Sequence, residues 1–509
     1  MPSIKELQAG LISGRWTSVD LVEMYLERIN QFSRYNAMIF VKDRESLLSE
    51  AASLDKERAS WGIYSASPSS EDLLATPQGG VEGKKLHGIP IIVKDNICTS
   101  DMPTTAGALA LKGAESGFDA EIVRKLRNAG AIILGKSNLT EMANFVDTHH
   151  TWGWSYMGGQ TMNGISGSFH ASGSSSGSAC AVALGICPCS IGTETHGSII
   201  CPSVEQGIVG IKPSRGLCSN AGIIPISTSF DTAGPMGRTV EDVAVVLEAL
   251  SNSDEKFSDL NAYSIKGTRA GVALKCIQEI SDNDSAHVVY NLMKLVGELH
   301  TLGCTPVHEI LEDKILSKLP HINHKSISAL EKALNEDYYY LNKCEFKDGL
   351  ADILTKFHNV PSNVRDLASL IAFNREHPEA LNLMTKKQET LIESNDTNGI
   401  ADTKYKPSLE RVTASSKSVI DHIFKDGFDF LVTAFIGPDG PAIYDLAVMS
   451  GSPIITIPLG RFPDVPSYRT FFGFTNCPGV GYGLILIAKH GNDHKLLCYA
   501  KQIENMLQG

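Results

Sequence analysis

The stretch Ser172–Ser178, read in "FHASGSSSGSACAVALG", sets five serines within seven residues. A serine hydroxyl attacks a carbonyl only after a base has taken its proton. Which serine reacts, and what activates it, are therefore the first questions. As a flexible linker the run would need loose surroundings, yet it passes straight into "ACAVALGICPCSIG", an apolar pattern that reads as helix and then strand. It also fits G-x-S-x-G with Ser175 at the centre, the turn that carries the nucleophile of α/β-hydrolases. That turn follows an apolar strand, and "MNGISGSFHA" is not one. Upstream, "GIPIIVKDNI" reads as a short buried strand, Ile91 to Val93, delivering Lys94 at its C-terminal end. The plain reading of such a lysine is a strand-end side chain that snorkels to water. His149 and His150 are neighbours without a third ligand at metal spacing, so no metal site is expected. Cys180 and Cys201 read as core thiols rather than nucleophiles.

The elements that must hold these groups follow an α/β rhythm. Near the start, "TSVDLVEMYLERINQF" has helical apolar spacing, with Thr17 and Asp20 placed as a cap. From about Ser53 to Lys85 the chain is polar and rich in Ser, Gly and Pro, which reads as a solvated excursion. Then "DAEIVRKLRNAGAIILGKSNL" runs as a helix closed by Gly130, followed by a strand from Ala131 to Leu134. Helix and strand recur in "SAHVVYNLMKLVGELHTLGCTPVHEI", and further strands in "DFLVTAF", "PIITIPLG" and "GLILIAK". Strands come from both ends of the chain, which argues for one interleaved domain over residues 1–509. Residues from about 255 to 425 are more polar and mostly helical in pattern, with "LIESNDTNGIADTKYKPS" as a loop; a C-terminal sheet segment covers about 426–509.

Lys plus Arg number 45 and Asp plus Glu 57, a net charge of −12, which disfavours phosphate-backbone contacts and argues against a nucleic-acid ligand. No apolar run reaches the roughly 18 residues that span a bilayer. The amino terminus has no secretory pattern, so a cytoplasmic protein without a membrane partner is expected. The 11 cysteines are odd in number and scattered, with only Cys187 and Cys189 close together, and read as reduced thiols.

Taken together, "GIPIIVKDNI", "SGSSSGSA", "IGTETHGSIICPSVEQGIVGIKPSRG" and "GIIPISTSFDTAGPMGRTVEDVA" resemble the amidase signature family, in the family's order over about residues 83–242. The "GTETxGSIxCP" form is similar to the branch that contains bacterial peptide amidase and fungal general amidases. The resemblance implies an α/β/α domain with a large mixed sheet flanked by helices. It implies hydrolysis of linear amides through a serine acyl-enzyme, acting on a small-molecule or peptide-like amide without cofactor or metal; a monomer or homodimer is the expectation, on which the sequence itself carries no signal. Matched residue by residue, it implies a Ser-Ser-Lys triad of Ser198 as nucleophile, Ser174 as bridging serine and Lys94 as base. It also implies a cis peptide between Gly173 and Ser174, and an oxyanion turn across Thr195, His196, Gly197 and Ser198. Ala143 falls at the substrate pocket and Asp231 in a bracing role.

The chemistry is coherent, since neutral lysine near pH 8 requires a pKa depression of roughly 2 to 3 units, about 3 to 4 kcal/mol, which burial can supply. This sequence departs from the family pattern at Ser172 and Ser176, where glycine is usual, at Ala171, and at Glu194, His196 and Ile200; the branch tends to have Asp at the position of His196. Histidine tolerates positive φ, so the turn is expected to survive, with an imidazole that could meet substrate or alter the pH profile. Three other outcomes keep the resemblance: a biosynthetic acyltransferase or cyclising enzyme using the same acyl-enzyme, an ammonia-supplying amidotransferase component, or a non-catalytic scaffold.

Overall fold

Runs of Ile, Val and Leu become strands here because each finds an apolar layer on both faces. The computed structural model describes residues 1–61, 84–148, 151–167, 169–273, 285–308, 326–381, 387–435, 441–462 and 479–508, with a few isolated positions between. Eleven strands form one mixed sheet. In chain order they are β1 (Met38–Val41), β2 (Pro90–Lys94), β3 (Ile132–Ser137), β4 (Cys189–Glu194), β5 (Val209–Lys212), β6 (Thr232–Gly237), β7 (Arg269–Val272), β8 (Thr305–His308), β9 (Phe430–Phe435), β10 (Ile454–Arg461) and β11 (Gly481–Ile487). Across the sheet the order is β1-β3-β2-β4-β6-β5-β10-β11-β9-β7-β8. β2 lies parallel between β3 and β4, while β6 pairs antiparallel with both β4 and β5.

Side-chain alternation divides the core. Phe430, Val432, Ile455, Ile457, Leu484 and Leu486 join one apolar cluster. Leu431, Ile454, Ile485 and Ile487 join a second, shared with the helices Ile327–Thr355, Tyr405–Lys425 and Ala442–Ser450. At about 1.5–3 kcal/mol for each large apolar side chain buried, this two-sided packing holds the sheet. The helix Ser18–Gln31 has the expected cap, with Thr17 and Asp20 bonded reciprocally as a capping box. Gly130, at φ 85°, follows the helix Glu121–Asn128. The nine described cysteines, Cys187 and Cys189 among them, are buried free thiols. Among the described residues, no helix is long and apolar enough to cross a membrane and no His/Cys/Asp/Glu group is arranged for a metal ion. His149 and His150 lie outside the described residues.

Several boundaries differ from the sequence reading for identifiable reasons. The strand expected at Ala131–Leu134 runs Ile132–Ser137, because Lys136 is buried 3.3 Å from the equally buried Asp95 and so can stand in a strand interior. The polar stretch expected to begin near Ser53 is helix as far as Ser60. There Asp55 accepts the N–H groups of Ser18 and Val19, and Arg58 bonds both Asp55 and Ser18, so the polarity is consumed between two helices. Residues 62–83 of that stretch lie outside the described residues. The expected loop over 391–408 is helical at both ends, in Glu389–Asn395 and from Tyr405 onward. Besides β8, where "TPVH" was read as strand, the region 255–425 contributes β7 to one edge of the main sheet.

Candidate active site

β2 and β4 are parallel neighbours with Val93 opposite Ile191, so the ends of both strands open at the same place. Lys94 closes β2 and is fully buried. Its Nζ donates to Ser174 Oγ (2.8 Å), Thr193 Oγ1 (3.0 Å) and the Thr193 carbonyl (3.2 Å). Three donors thus meet three acceptors, none of them a carboxylate. Burial therefore dominates and lowers the Lys94 pKa to about 7, against the opposing pull of Asp231 and Glu194. The depression exceeds what neutrality near pH 8 requires. Asn96, two residues on, donates to Thr193 Oγ1 (3.1 Å) and the Ile224 carbonyl (3.2 Å), fixing the hydroxyl that faces the lysine.

Ser174 follows a cis peptide bond to Gly173, and Ser172 before it takes φ 59°. The Ser174 carbonyl accepts the Thr140 N–H (3.0 Å), linking this turn to the segment that carries Ala143. In that segment Met142, Ala143 and Asn144 have φ of 48°, 54° and 75°, three successive non-glycine residues in the left-handed region. Three such residues in a row persist only where their surroundings enforce them, and such backbone concentrates at functional sites.

Ser175 turns its hydroxyl onto the Thr193 main chain. Its Oγ donates to the Thr193 carbonyl and accepts the Thr193 N–H, both at 3.2 Å. The helix Ser176–Ala183 begins at once, pressed on β4 so closely that a Cβ at Gly192 would stand 2.8 Å from Ser175 Oγ. The Ser175 hydroxyl is thus a cross-tie to β4, and the elbow reading has no support in this geometry. Ser175→Ala leaves the buried Thr193 N–H without its partner, while the Thr193 carbonyl keeps the Lys94 Nζ donor. The substitution is expected to lower the unfolding free energy by about 1–3 kcal/mol in a urea titration, with serine-directed labelling retained.

The Ser175 N–H donates to the Ser198 carbonyl (3.1 Å), which sets Ser198 against the Ser174–Ser175 peptide. Ser198 lies in the turn between β4 and the helix Ile200–Glu205, 7% exposed. The positive φ of this turn, 76°, falls on Gly197, whereas the sequence reading placed the demand on His196. The turn is held on several sides. Glu194 Oε2 accepts the N–H groups of Ile199 (2.7 Å) and Ile200 (2.9 Å). Glu194 opposes Thr232 in the β4–β6 register, which brings Asp231 beside Thr195, and Thr195 Oγ1 donates to Asp231 Oδ1 (2.5 Å). Asp231 Oδ2 accepts the N–H groups of Ile226 and Ser227. Burial raises the Asp231 pKa to about 7 in spite of these bonds.

Lys94 and Ser174 thus stand in direct contact, and Thr195, Gly197 and Ser198 share one adjoining turn. The His196 imidazole is directed to Asp445 (2.7 Å) and edge-on to Tyr444. Thr193 and Asn96 were not singled out from sequence. Thr193 is a lone threonine in a strand, and only the parallel pairing of β2 with β4 puts it on Lys94. Tyr338 and Glu345, from the helix Ile327–Thr355, were missed as well. The Tyr338 hydroxyl donates to the Thr195 carbonyl (3.0 Å), and Glu345 Oε2 accepts from Ser227 Oγ (2.5 Å) and the Ser229 N–H (2.8 Å), bracing the loop that holds Asp231.

A family model described as Amidase matches residues 20–497. An Arabidopsis thaliana protein named a probable amidase is 32% identical over 483 residues, 92% of this chain and 86% of that one. A glutamyl-tRNA(Gln) amidotransferase protein of Listeria innocua is 30% identical over 532 residues, 99% of this chain and 96% of that one. Among solved structures, native peptide amidase from Stenotrophomonas maltophilia is similar with a TM-score of 0.82 at 32% identity, covering 100% of this chain and 97% of that one.

Proposed function

We propose, from the premise that this chain belongs to the amidase family and hydrolyses amides, that it does so through a Ser198 acyl-enzyme activated by Ser174 and Lys94. The observation that carries this reading is the 2.8 Å contact from a buried, carboxylate-free lysine ammonium to the Ser174 hydroxyl. With its pKa lowered to about 7, Lys94 is substantially neutral at mildly alkaline pH, where neutral Nζ accepts a proton from Ser174. Ser174 in turn accepts the proton of Ser198 as Ser198 Oγ bonds to the carbonyl carbon. The carbonyl π electrons move to oxygen, and backbone N–H groups across Thr195 to Ser198 receive that charge. Collapse of the tetrahedral intermediate breaks the C–N bond, and the amine leaves with the proton returned from Lys94 through Ser174. Water then attacks the Ser198 ester with the same relay as base, releasing the carboxylic acid. Ala143 lines the acyl pocket in this reading.

The similarity to peptide amidase makes carboxamides and peptide C-terminal amides the first substrates to screen. A second reading, an ammonia-supplying component of a larger enzyme, draws on the full-length similarity to a glutamyl-tRNA(Gln) amidotransferase protein. Assaying the isolated chain separates the two. Release of ammonia and carboxylate from simple carboxamides by the chain alone is the expected outcome. Fluorophosphonate labelling at Ser198 with no turnover of any amide would favour the partner-dependent reading. Adding hydroxylamine should divert part of the acyl-enzyme to hydroxamate; dominant hydroxamate formation would mark an acyl-transfer enzyme.

A further inference from the structure

The side chain of residue 196 has a partner far away in sequence. The turn Glu194–Ile200 is grasped from outside by two helices. From Ile327–Thr355, the Tyr338 hydroxyl donates to the Thr195 carbonyl (3.0 Å). From Ala442–Ser450, the Tyr444 hydroxyl donates to Glu194 Oε1 (2.9 Å). The next residue of that helix, Asp445, places Oδ1 2.7 Å from His196 Nε2. The imidazole stands edge-on to the Tyr444 ring (5.6 Å between centres, 85°) and 6.3 Å from the Tyr338 ring. His196 directly precedes Gly197 and Ser198, so its side chain anchors the backbone from which the oxyanion donors project.

We propose that His196 and Asp445 are a positioning pair for the oxyanion turn: the protonated imidazole ties the turn to the helix Ala442–Ser450, and loss of that proton loosens it and slows attack by Ser198. This rests on the reading of Ser198 as nucleophile. The groups facing the imidazole are Glu194 from β4, Glu331 and Tyr338 from Ile327–Thr355, with Lys332 beside Glu331, and Tyr444 and Asp445 from Ala442–Ser450, with Cys201 near Asp445 and Glu194. Burial alone would lower the His196 pKa, but Asp445, Glu194 and Glu331 outweigh it and raise it above the ordinary value. The Glu331 carboxyl is pushed up to about 7 by burial and by Asp445, and the Cys201 and Tyr444 protons are held well above their usual range by burial. A group whose folded pKa is raised keeps its partner at low pH and releases it as pH climbs, so the pair weakens on the alkaline side, opposite to the limb that Lys94 controls.

The test uses the full chain and an alkyl fluorophosphonate, whose phosphoryl oxygen occupies the oxyanion position once Ser198 attacks. Second-order labelling rates are read by intact mass from about pH 6 to 10 for the parent, His196→Gln, His196→Ala and Asp445→Asn, with thermal midpoints alongside. The parent should give a bell. His196→Gln, which can still donate one neutral hydrogen bond, should keep the rising limb, lose the falling limb and label about tenfold more slowly at neutral pH, a fraction of what deleting an oxyanion donor costs. Asp445→Asn should move the falling limb to lower pH. An unchanged falling limb with rates within about twofold of the parent in His196→Gln overturns the proposal, even if His196→Ala is less stable. A parent that never labels at Ser198 overturns the nucleophile reading itself, which the pH profiles distinguish from failure of the pair.

Discussion

Ser198→Ala is expected to lower kcat for any amide substrate by about 10⁵-fold and to abolish the fluorophosphonate adduct, while the protein melts within a few degrees of the parent. The magnitude follows from removing the atom that forms the covalent intermediate in the proposed reaction. Residues acting as a nucleophilic unit typically account for about 10⁴ to 10⁶ in kcat, and what remains comes from substrate binding and oxyanion donors. The small effect on stability follows from the structure. The turn is fixed by main-chain bonds at Ser198, Ile199 and Ile200 and by the Thr195 and Glu194 side chains, none of which involves Ser198 Oγ. Intact mass spectrometry after labelling, with ammonia release measured in parallel, decides the matter. An adduct that persists in Ser198→Ala and disappears in Ser175→Ala would reverse the assignment and restore the elbow reading. That outcome would require the Ser175 hydroxyl to leave both bonds it makes to Thr193.

The sequence exposed those parts of the molecule whose signals are local. Ile91 to Val93 read as a buried strand because three successive large apolar residues between turn-formers have few other uses, and Lys94 followed from them. Thr17 and Asp20 read as a cap because the geometry of a helix start is contained within four residues. What stayed hidden depends on pairings between distant segments. Thr193 touches Lys94 only because β2 and β4 are parallel neighbours. Tyr338, Tyr444 and Asp445 reach the turn, and Glu345 the loop that holds Asp231, only because two helices cross over them. The misread loop at 391–408 is a related failure. Its polar residues obscured a helix, Tyr405–Lys425, whose buried positions Ser408, Val412, Ser416, Val419, Ile420 and Ile423 do keep a 3.6-residue spacing but include two serines. At His196 a residue-level argument about φ was correct in form and applied one position too early, since Gly197 takes the left-handed conformation.

Lys94→Met is expected to be catalytically dead yet no less stable than the parent. The two effects share a cause. An ammonium fully removed from water with no carboxylate bonded to it is an expensive group, and its lowered pKa measures the expense: from 10.5 to about 7 corresponds to about 5 kcal/mol of folding free energy near neutral pH. Methionine has a similar length and carries no charge, so it removes that penalty, against about 1–3 kcal/mol for removing the donor to Ser174 Oγ, the Thr193 oxygens keeping Asn96 and Ser175 as donors. The balance favours the variant by about 2–4 kcal/mol in urea denaturation near pH 7. The sign reverses with pH in a way that isolates Lys94. The folded state binds fewer protons than the unfolded state between about 7 and 10.5, so the parent gains stability as pH rises through that window, and the gap to Lys94→Met closes and inverts by about pH 10. In the proposed relay, activity follows the same ionisation in the parent. The rate should rise with pH through an apparent midpoint near 7 as Lys94 loses its proton and becomes able to accept one from Ser174. A variant that is both inactive and strongly destabilised at pH 7 would mean that the lysine is held charged, so that Ser174 would need another base, and a parent whose rate does not fall below pH 7 would mean that loss of the Lys94 proton does not set the rate. A lysine placed where it weakens the fold and strengthens the chemistry is the physical signature of a general base, and the paired stability and rate profiles test both halves of that statement on one protein.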